Sequence, residues 1–248
     1  MDTTLFLGMS NQAALRRRMD IIAHNVANMS TTAFKKERVV FQQHLMDAAG
    51  AQATQGGRIS YVLDHGIIRN LDQGTMIATN NPLDVFIDGQ AYLSVLNQAG
   101  ETFYTRNGRM TLDNEGFLSL LSGERVLGVN GDTIQTTAAD GTPTISENGG
   151  VIGDLGAIGQ LRLVTFDNEQ LMSREGGSLY STTQAPQEVD DLTIARVVSN
   201  GYESSNVNAV EMMAEMIKVQ RSYQSAQRNS NTINDLREDS LDRLARVQ

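Results

Sequence analysis

The sequence predicts an α+β protein in which long N- and C-terminal helices pair as a coiled-coil-like core element around a central β-rich domain, antiparallel and barrel- or sandwich-like. Three observations predict it. Apart from Gly8 and Gly50, every glycine lies between Gly56 and Gly201, as do Pro82, Pro143 and Pro186, so the strongest helix breakers are confined to the middle. Each end carries an apolar stripe at helical spacing. The middle alternates short apolar runs with Asn-Gly and Asp-Gly pairs.

At the N-terminus, Leu15, Met19, Ile22, Val26 and Met29 recur in steps of four and three, which places them along one side of a helix. From Asn206 to Gln248 there is no glycine or proline, and Met212, Met216, Val219, Tyr223, Ala226, Ser230 and Ile233 repeat the same spacing. Fully helical, that segment would be about 60 Å long. Its stripe is narrow and flanked by Gln220, Gln224 and Gln227, which suits a coiled coil or packing between subunits. A two-helix hairpin packed on the core is the alternative. Between the ends, runs such as LDVFIDG, AYLSVLN, GFLSLLSG and QLRLVTFDN are punctuated by Asp88-Gly89, Asn107-Gly108, Asn130-Gly131 and Asp140-Gly141. Such dipeptides supply the positive φ that tight hairpins need. The expected boundaries are 1–45 and 203–248 for a terminal helical domain, 46–80 and 188–202 for connecting segments, and 81–187 for the β-rich domain.

Composition removes several function classes. With no cysteine among 248 residues, disulfides, thiolate metal sites and thiol nucleophiles are excluded. A net charge of −9, with no basic stripe beyond Arg16, Arg17 and Arg18, argues against nucleic acid as a partner. Tryptophan is absent, while asparagine and glutamine number 35, so polar contacts outnumber large core anchors. The apolar run LFLGM is five residues long and its arginines follow it, so no Sec signal peptide is expected, and no stretch is long enough to span a bilayer.

No catalytic constellation emerges either, and neither a cofactor nor a metal is expected. His24, His44 and His65 stand in unrelated contexts without a second histidine at ligand spacing. Asp113, Glu115 and Gly116 echo a fragment of a calcium loop but lack its remaining ligands, and a hairpin turn accounts for them. Asp84 and Asp88 share a strand face without a partner that would assign acid and base. Neither a G-x-G-x-x-G before a helix nor a P-loop lysine is present.

Particular strings carry more. DIIAHNVANMSTTAFKKERVVF resembles the N-terminal signature of the flagellar rod and hook family at Asn25, Asn28, Thr31, Phe34 and Lys35. GYESSNVNAVEMMAEMIKVQRSYQSAQR resembles its C-terminal signature at Glu203, Ser205, Asn206, Val207 and Asn208, then at Met216, Ile217, Gln220, Arg221 and Tyr223. GTMIATNNPLDVFIDGQAYLSV and YTRNGRMTLDNEGFL resemble the family's central landmarks. The departure is Ala33, where the family usually has glycine; if the chain needs positive φ there, alanine adopts it at a steric cost.

The resemblance implies a non-enzymatic building block of the flagellar drive shaft, and the short interval from Phe41 to Pro82 resembles the family's proximal rod branch, with distal rod or hook as the alternative. It further implies export through the flagellar type III apparatus without a cleaved signal, and a place in the periplasmic rod. The implied partners are copies of the chain itself, neighbouring rod subunits and the export apparatus. The candidate assembly residues are Leu15, Met19, Ile22, Asn25, Val26, Asn28, Thr31, Phe34, Lys35, Asn206, Asn208, Met212, Met216, Ile217, Val219, Gln220 and Tyr223. Among them Asn25, Asn28, Asn206 and Asn208 read as polar specifiers of register, or else as helix caps and turn initiators. The rival classes are a soluble enzyme with a helical dimerisation clasp and a secreted adhesin-like binding module.

Overall fold

A computed structural model describes residues 2–47, 58–189 and 191–245. It has two helices, α1 (Asp2–Ala27) and α2 (Ala209–Ala245), with antiparallel β-sheet between them. The chain forms two compact units. One comprises α1, a hairpin of strands Glu37–Asp47 and Arg58–Arg69, and α2; the other comprises Asn28–Lys36 and Leu71–Val207.

In the first unit the helices run antiparallel, since Gln12 Nε2 donates to the Ala226 carbonyl, Arg18 pairs with Glu215, and Asn25 Nδ2 lies 3.9 Å from Met212 Sδ. The expected stripe of α2 is its less exposed side. Met212 and Val219 are buried, Met216, Tyr223, Ala226, Ser230 and Ile233 are half-buried, and Met213, Ile217, Gln220, Gln224 and Gln227 are exposed. On α1, Ile21 and Ile22 are buried and Leu15, Met19 and Val26 half-buried, but the stripe stops short of Met29. The helix ends at Ala27, where the backbone turns through Asn28 and leaves Met29 exposed.

The hairpin differs from expectation. Residues 37–45, grouped by the sequence with the helical ends, begin an eleven-residue strand, and the segment taken as a connection supplies its partner. Val39, Val40 and Phe41 are residues that favour extended backbone. The register slips between Val40 and Phe41, opposite Gly66 at φ 129°, so one extra residue is absorbed as a bulge.

The second unit is built around a nine-stranded antiparallel sheet. Its main path runs Ser173–Gly176, Leu179–Ser181, Thr102–Thr105, Tyr92–Leu96, Arg125–Val126, Leu118–Leu120, Met110–Leu112; Leu163–Thr165 branches from Tyr92–Leu96 and pairs in turn with Gln187–Glu188. Smaller sheets flank it, and among the described residues none closes into a barrel, so the barrel form of the expectation is corrected to open sheets. The core runs from Leu83, Val85 and Ile87 through Leu93, Val95, Leu118 and Val126 to Val197, and a second cluster gathers Tyr92, Tyr104, Phe166 and Tyr180 edge to face.

β structure also extends beyond 81–187. Strand Ala195–Ser199 pairs with Val85–Gly89, and Gly201–Glu203 pairs with Met76–Ala78, which brings the segments before and after the sheet side by side. At Asn107-Gly108 the glycine serves close approach instead of positive φ: a Cβ there would collide with the Val85 carbonyl, and the Gly108 carbonyl accepts from Val85 N–H at 2.8 Å.

Candidate functional site

Residues 33–36 of the N-terminal signature and 203–206 of the C-terminal one, far apart in sequence, meet in the second unit. After α1 the chain turns at Asn28, whose carbonyl accepts from Thr31 N–H and whose Oδ1 accepts from Thr31 Oγ1, each at 3.1 Å. Ala33 then takes φ 55°, the left-handed conformation that glycine adopts without cost. It is held there by its N–H donating to the Glu203 carbonyl at 2.9 Å and by complete burial. Phe34 is buried beneath the Arg174 guanidinium, 4.6 Å from the ring centre. Ser178 Oγ fastens the preceding carbonyl of Thr32 at 2.7 Å.

Lys35 and Glu203 form the centre of this latch. Lys35 Nζ donates to Glu203 Oε1 at 2.7 Å and to the Asp72 carbonyl at 2.9 Å, and both side chains are almost wholly removed from solvent. Glu203 Oε1 also accepts from Gly74 N–H at 2.8 Å, and Oε2 from Arg106 Nε at 2.7 Å. Arg106 spends its remaining nitrogens on the carbonyls of Gly89, Ala91 and Ile87, at 2.8 to 2.9 Å. Two buried cations thus share one carboxylate, and such charges are tolerated only when paired and hydrogen-bonded. A further acid stands one residue away: Tyr92, whose ring lies 5.8 Å from the Arg106 guanidinium, donates from its hydroxyl to Glu169 Oε2 at 2.6 Å. Burial, with the negative charge of Glu169 and its hydrogen bond adding to it, pushes the Tyr92 hydroxyl far above its ordinary value. Burial likewise pulls Lys35 below its ordinary value, outweighing the attraction of Glu203, and the Arg106 charge pulls the same way.

Asn206 closes the other side. Its Oδ1 accepts from Lys36 N–H at 2.6 Å, its Nδ2 donates to the Asp72 carbonyl at 2.8 Å, and its own N–H reaches the Phe34 carbonyl at 3.2 Å. Ser204 N–H donates to the Thr75 carbonyl, and Gly74 is glycine because a Cβ there would collide with the Ser204 carbonyl.

The four asparagines therefore divide. Asn206 joins segments within the latch. Asn25, buried in the helical unit, exchanges two hydrogen bonds with the backbone of Glu37, at 2.7 and 2.9 Å, and so pins the strand to α1. Asn208 caps α2 by accepting from Val210 and Glu211 N–H, and Asn28 makes a turn. Of the other candidates, Thr31, Phe34 and Lys35 belong to the latch segment. Leu15, Met19, Ile22, Val26, Met212, Met216, Val219 and Tyr223 lie along the helical pair, and Ile217 and Gln220 face outward. Arg106 and Glu169 were not among the candidates. Arg106 lies in one of the landmark strings, but nothing in the local pattern of YTRNG marks it as buried.

None of these charges is arranged for bond-making. The Lys35 amine is committed to a carboxylate and two carbonyls, and Arg106 is committed on every nitrogen. Asp84 is buried but accepts from Thr79 Oγ1 and Asn81 Nδ2 within its own turn, and Asp88 pairs with Arg196. Desolvation opposes ionisation of Asp113, yet hydrogen bonds from Phe117 and Glu115 N–H and the Arg125 guanidinium hold its carboxyl below the usual range. Among the described residues no group of three His, Asp or Glu side chains converges to hold a metal ion.

Comparison with known proteins follows the same three regions. Residues 6–35 match the family described as Flagella basal body rod protein, 86–153 the Flagellar hook protein FlgE/F/G D1 domain, and 199–243 the Flagellar basal body rod FlgEFG protein C-terminal. Over 250 aligned positions spanning both chains completely, the sequence is 33% identical to flagellar basal-body rod protein FlgF of Caulobacter vibrioides. It is 30% identical to the FlgF of Mesorhizobium japonicum over 91% of this chain and 90% of that one. To flagellar basal-body rod protein FlgG of Bacillus subtilis it is 32% identical, over 90% and 91% respectively.

Proposed function

The chain belongs to the flagellar basal-body rod family as a structural rod subunit, and from that premise we propose that it builds the proximal part of the rod. In this reading α1 and α2 act as one coiled-coil-like element that packs against further copies and against neighbouring rod subunits. In the same reading the chain reaches the periplasm through the flagellar type III apparatus and assembles there.

The observation that carries the reading is the exposure pattern of α2. Its stripe is fully buried only at Met212 and Val219, whereas Met216, Tyr223 and Ile233 keep part of their surface in water and Val210, Met213 and Ile217 stand exposed beside them. Apolar surface left in water on a long helix is surface that assembly removes. Subunits that repeat along a shaft multiply that gain at every contact.

Complementation of a deletion strain tests it. Met216→Asp combined with Tyr223→Asp is expected to abolish motility and to leave isolated basal bodies with an incomplete rod, while the β-rich unit keeps its native circular dichroism and melting. Wild-type rods and swimming from the double variant would overturn the assignment of the stripe. A distal-rod role is the second reading, favoured by FlgG of Bacillus subtilis matching at nearly the same identity as the FlgF proteins. Density for an isolated basal body, in which this chain is placed against its neighbours, separates the two.

A further inference from the structure

We propose that the Lys35–Glu203–Arg106 cluster is the heart of an end-to-end latch that opens and closes as one unit, so that residues 33–36 take their native conformation only when residues 203–206 have docked. Five backbone N–H groups report the arrangement. Ala33 donates to the Glu203 carbonyl, Lys36 to Asn206 Oδ1, Gly74 to Glu203 Oε1, Ser204 to the Thr75 carbonyl and Asn206 to the Phe34 carbonyl. Each of these bonds joins two of three segments, and residues 203–206 take part in every one.

Two features make piecemeal closure unfavourable. Ala33 sits at φ 55°, a conformation that is unfavourable for a non-glycine residue and persists only where its surroundings over-determine it. Without Glu203, moreover, Lys35 and Arg106 would be two cations facing each other in a site from which water is excluded. The N-terminal segment therefore gains nothing by adopting its turn early.

The topology also states an order. Closing a contact across 168 residues is entropically costly until the intervening chain has folded. Pairing of Val85–Gly89 with Ala195–Ser199, then of Met76–Ala78 with Gly201–Glu203, delivers Glu203 beside Gly74 and Arg106. Lys35 can dock only onto that assembled pair. The latch thus closes last and from the C-terminal side, which leaves the N-terminal signature open until the far end of the chain has arrived.

Hydrogen exchange on the full-length chain tests this at single-amide resolution. In the unaltered protein the amides of Ala33, Lys36, Gly74, Ser204 and Asn206 are expected to exchange with one common opening equilibrium, and in refolding all five gain protection after the amides of Tyr92–Leu96, with Ala33 and Lys36 never ahead of Gly74 and Ser204. Glu203→Gln should accelerate all five about tenfold or more, with the central strand changing less. Asn206→Ala keeps every charge of the latch and directly removes only the bonds of one side chain. It too should accelerate all five, Ala33 and Gly74 included, although the hydrogen bonds of the Asn206 side chain run to Lys36 and Asp72. Acceleration confined to Lys36 in Asn206→Ala, or protection of Ala33 and Lys36 ahead of Ser204 and Asn206 during refolding, would overturn the proposal, and both readouts stand even if Glu203→Gln fails to fold.

Discussion

The latch and the helical pair both bring the two ends of the chain together, and they do so with opposite chemistry. In the latch a completely buried carboxylate is shared by a lysine, an arginine and a backbone N–H, and charged and polar groups are matched donor to acceptor. In the helical pair the joint is an apolar stripe of which, among the described residues, only Ile21, Ile22, Met212 and Val219 are buried, with Asn25 beside them. A matched polar network tolerates one geometry and is complete in the single chain. A narrow stripe with half-exposed members is incomplete in the single chain, and its remaining surface is available to further subunits. The difference separates a junction that is complete in the single chain from one that, on the proposed function, neighbouring subunits would complete.

The largest expected effect breaks the polar side. Glu203→Ala leaves Lys35 and Arg106 buried without their carboxylate, and loss of one partner of a buried pair costs about 3–5 kcal/mol. Urea denaturation followed by the signal of the β-rich unit should show it, whereas Met216→Asp, on the half-exposed stripe, should shift that transition little. Next comes the apolar side. Met212→Ala empties a fully buried position where α2 meets Asn25 and should cost the helical unit about 2 kcal/mol, read as loss of helical ellipticity at lower temperature.

Two smaller effects sharpen the account of the latch. Ala33→Gly removes the steric cost of φ 55° and should stabilise the β-rich unit by about 1 kcal/mol, visible as a raised denaturation midpoint; a lowered midpoint would mean that the lost methyl packing outweighs the strain. The pH effect is smaller still. Because Lys35 lies below its ordinary value of 10.5, the folded chain binds fewer protons there than the unfolded chain between those two values. Its contribution is therefore fully present above 10.5 and lost as pH falls through the folded value. Relative to Lys35→Met, the unaltered protein should gain stability as pH rises through the alkaline range, and a constant difference would contradict the direction of the shift.

What could be read from the sequence follows the reach of each interaction. The α2 stripe was legible because its spacing is local, and Met212 through Ile233 lie on the less exposed side as the steps of three and four require. The conformation of Ala33 was legible only through the resemblance, since a family glycine marked a position that demands positive φ. The hairpin at Glu37–Asp47 escaped because Val39, Val40, Phe41, Leu45 and Met46 keep no period of two and a bulge interrupts the register. The latch itself was the least legible. A lysine next to a second lysine and an arginine in a turn string look like solvated charges, and only the paired strands that carry residue 203 back to residue 35 reveal them as buried partners.

The contrast between a complete junction and an unfinished one is tested most directly by amide exchange measured on the isolated full-length chain and on the assembled rod. The latch amides of Ala33, Gly74 and Asn206 should be protected to the same degree in both, while the amides of α2 from Met216 to Ile233 should be weakly protected in the isolated chain and strongly protected in the rod. Helix amides already as protected in the isolated chain as those of the latch, or a latch that gains its protection only on assembly, would contradict it.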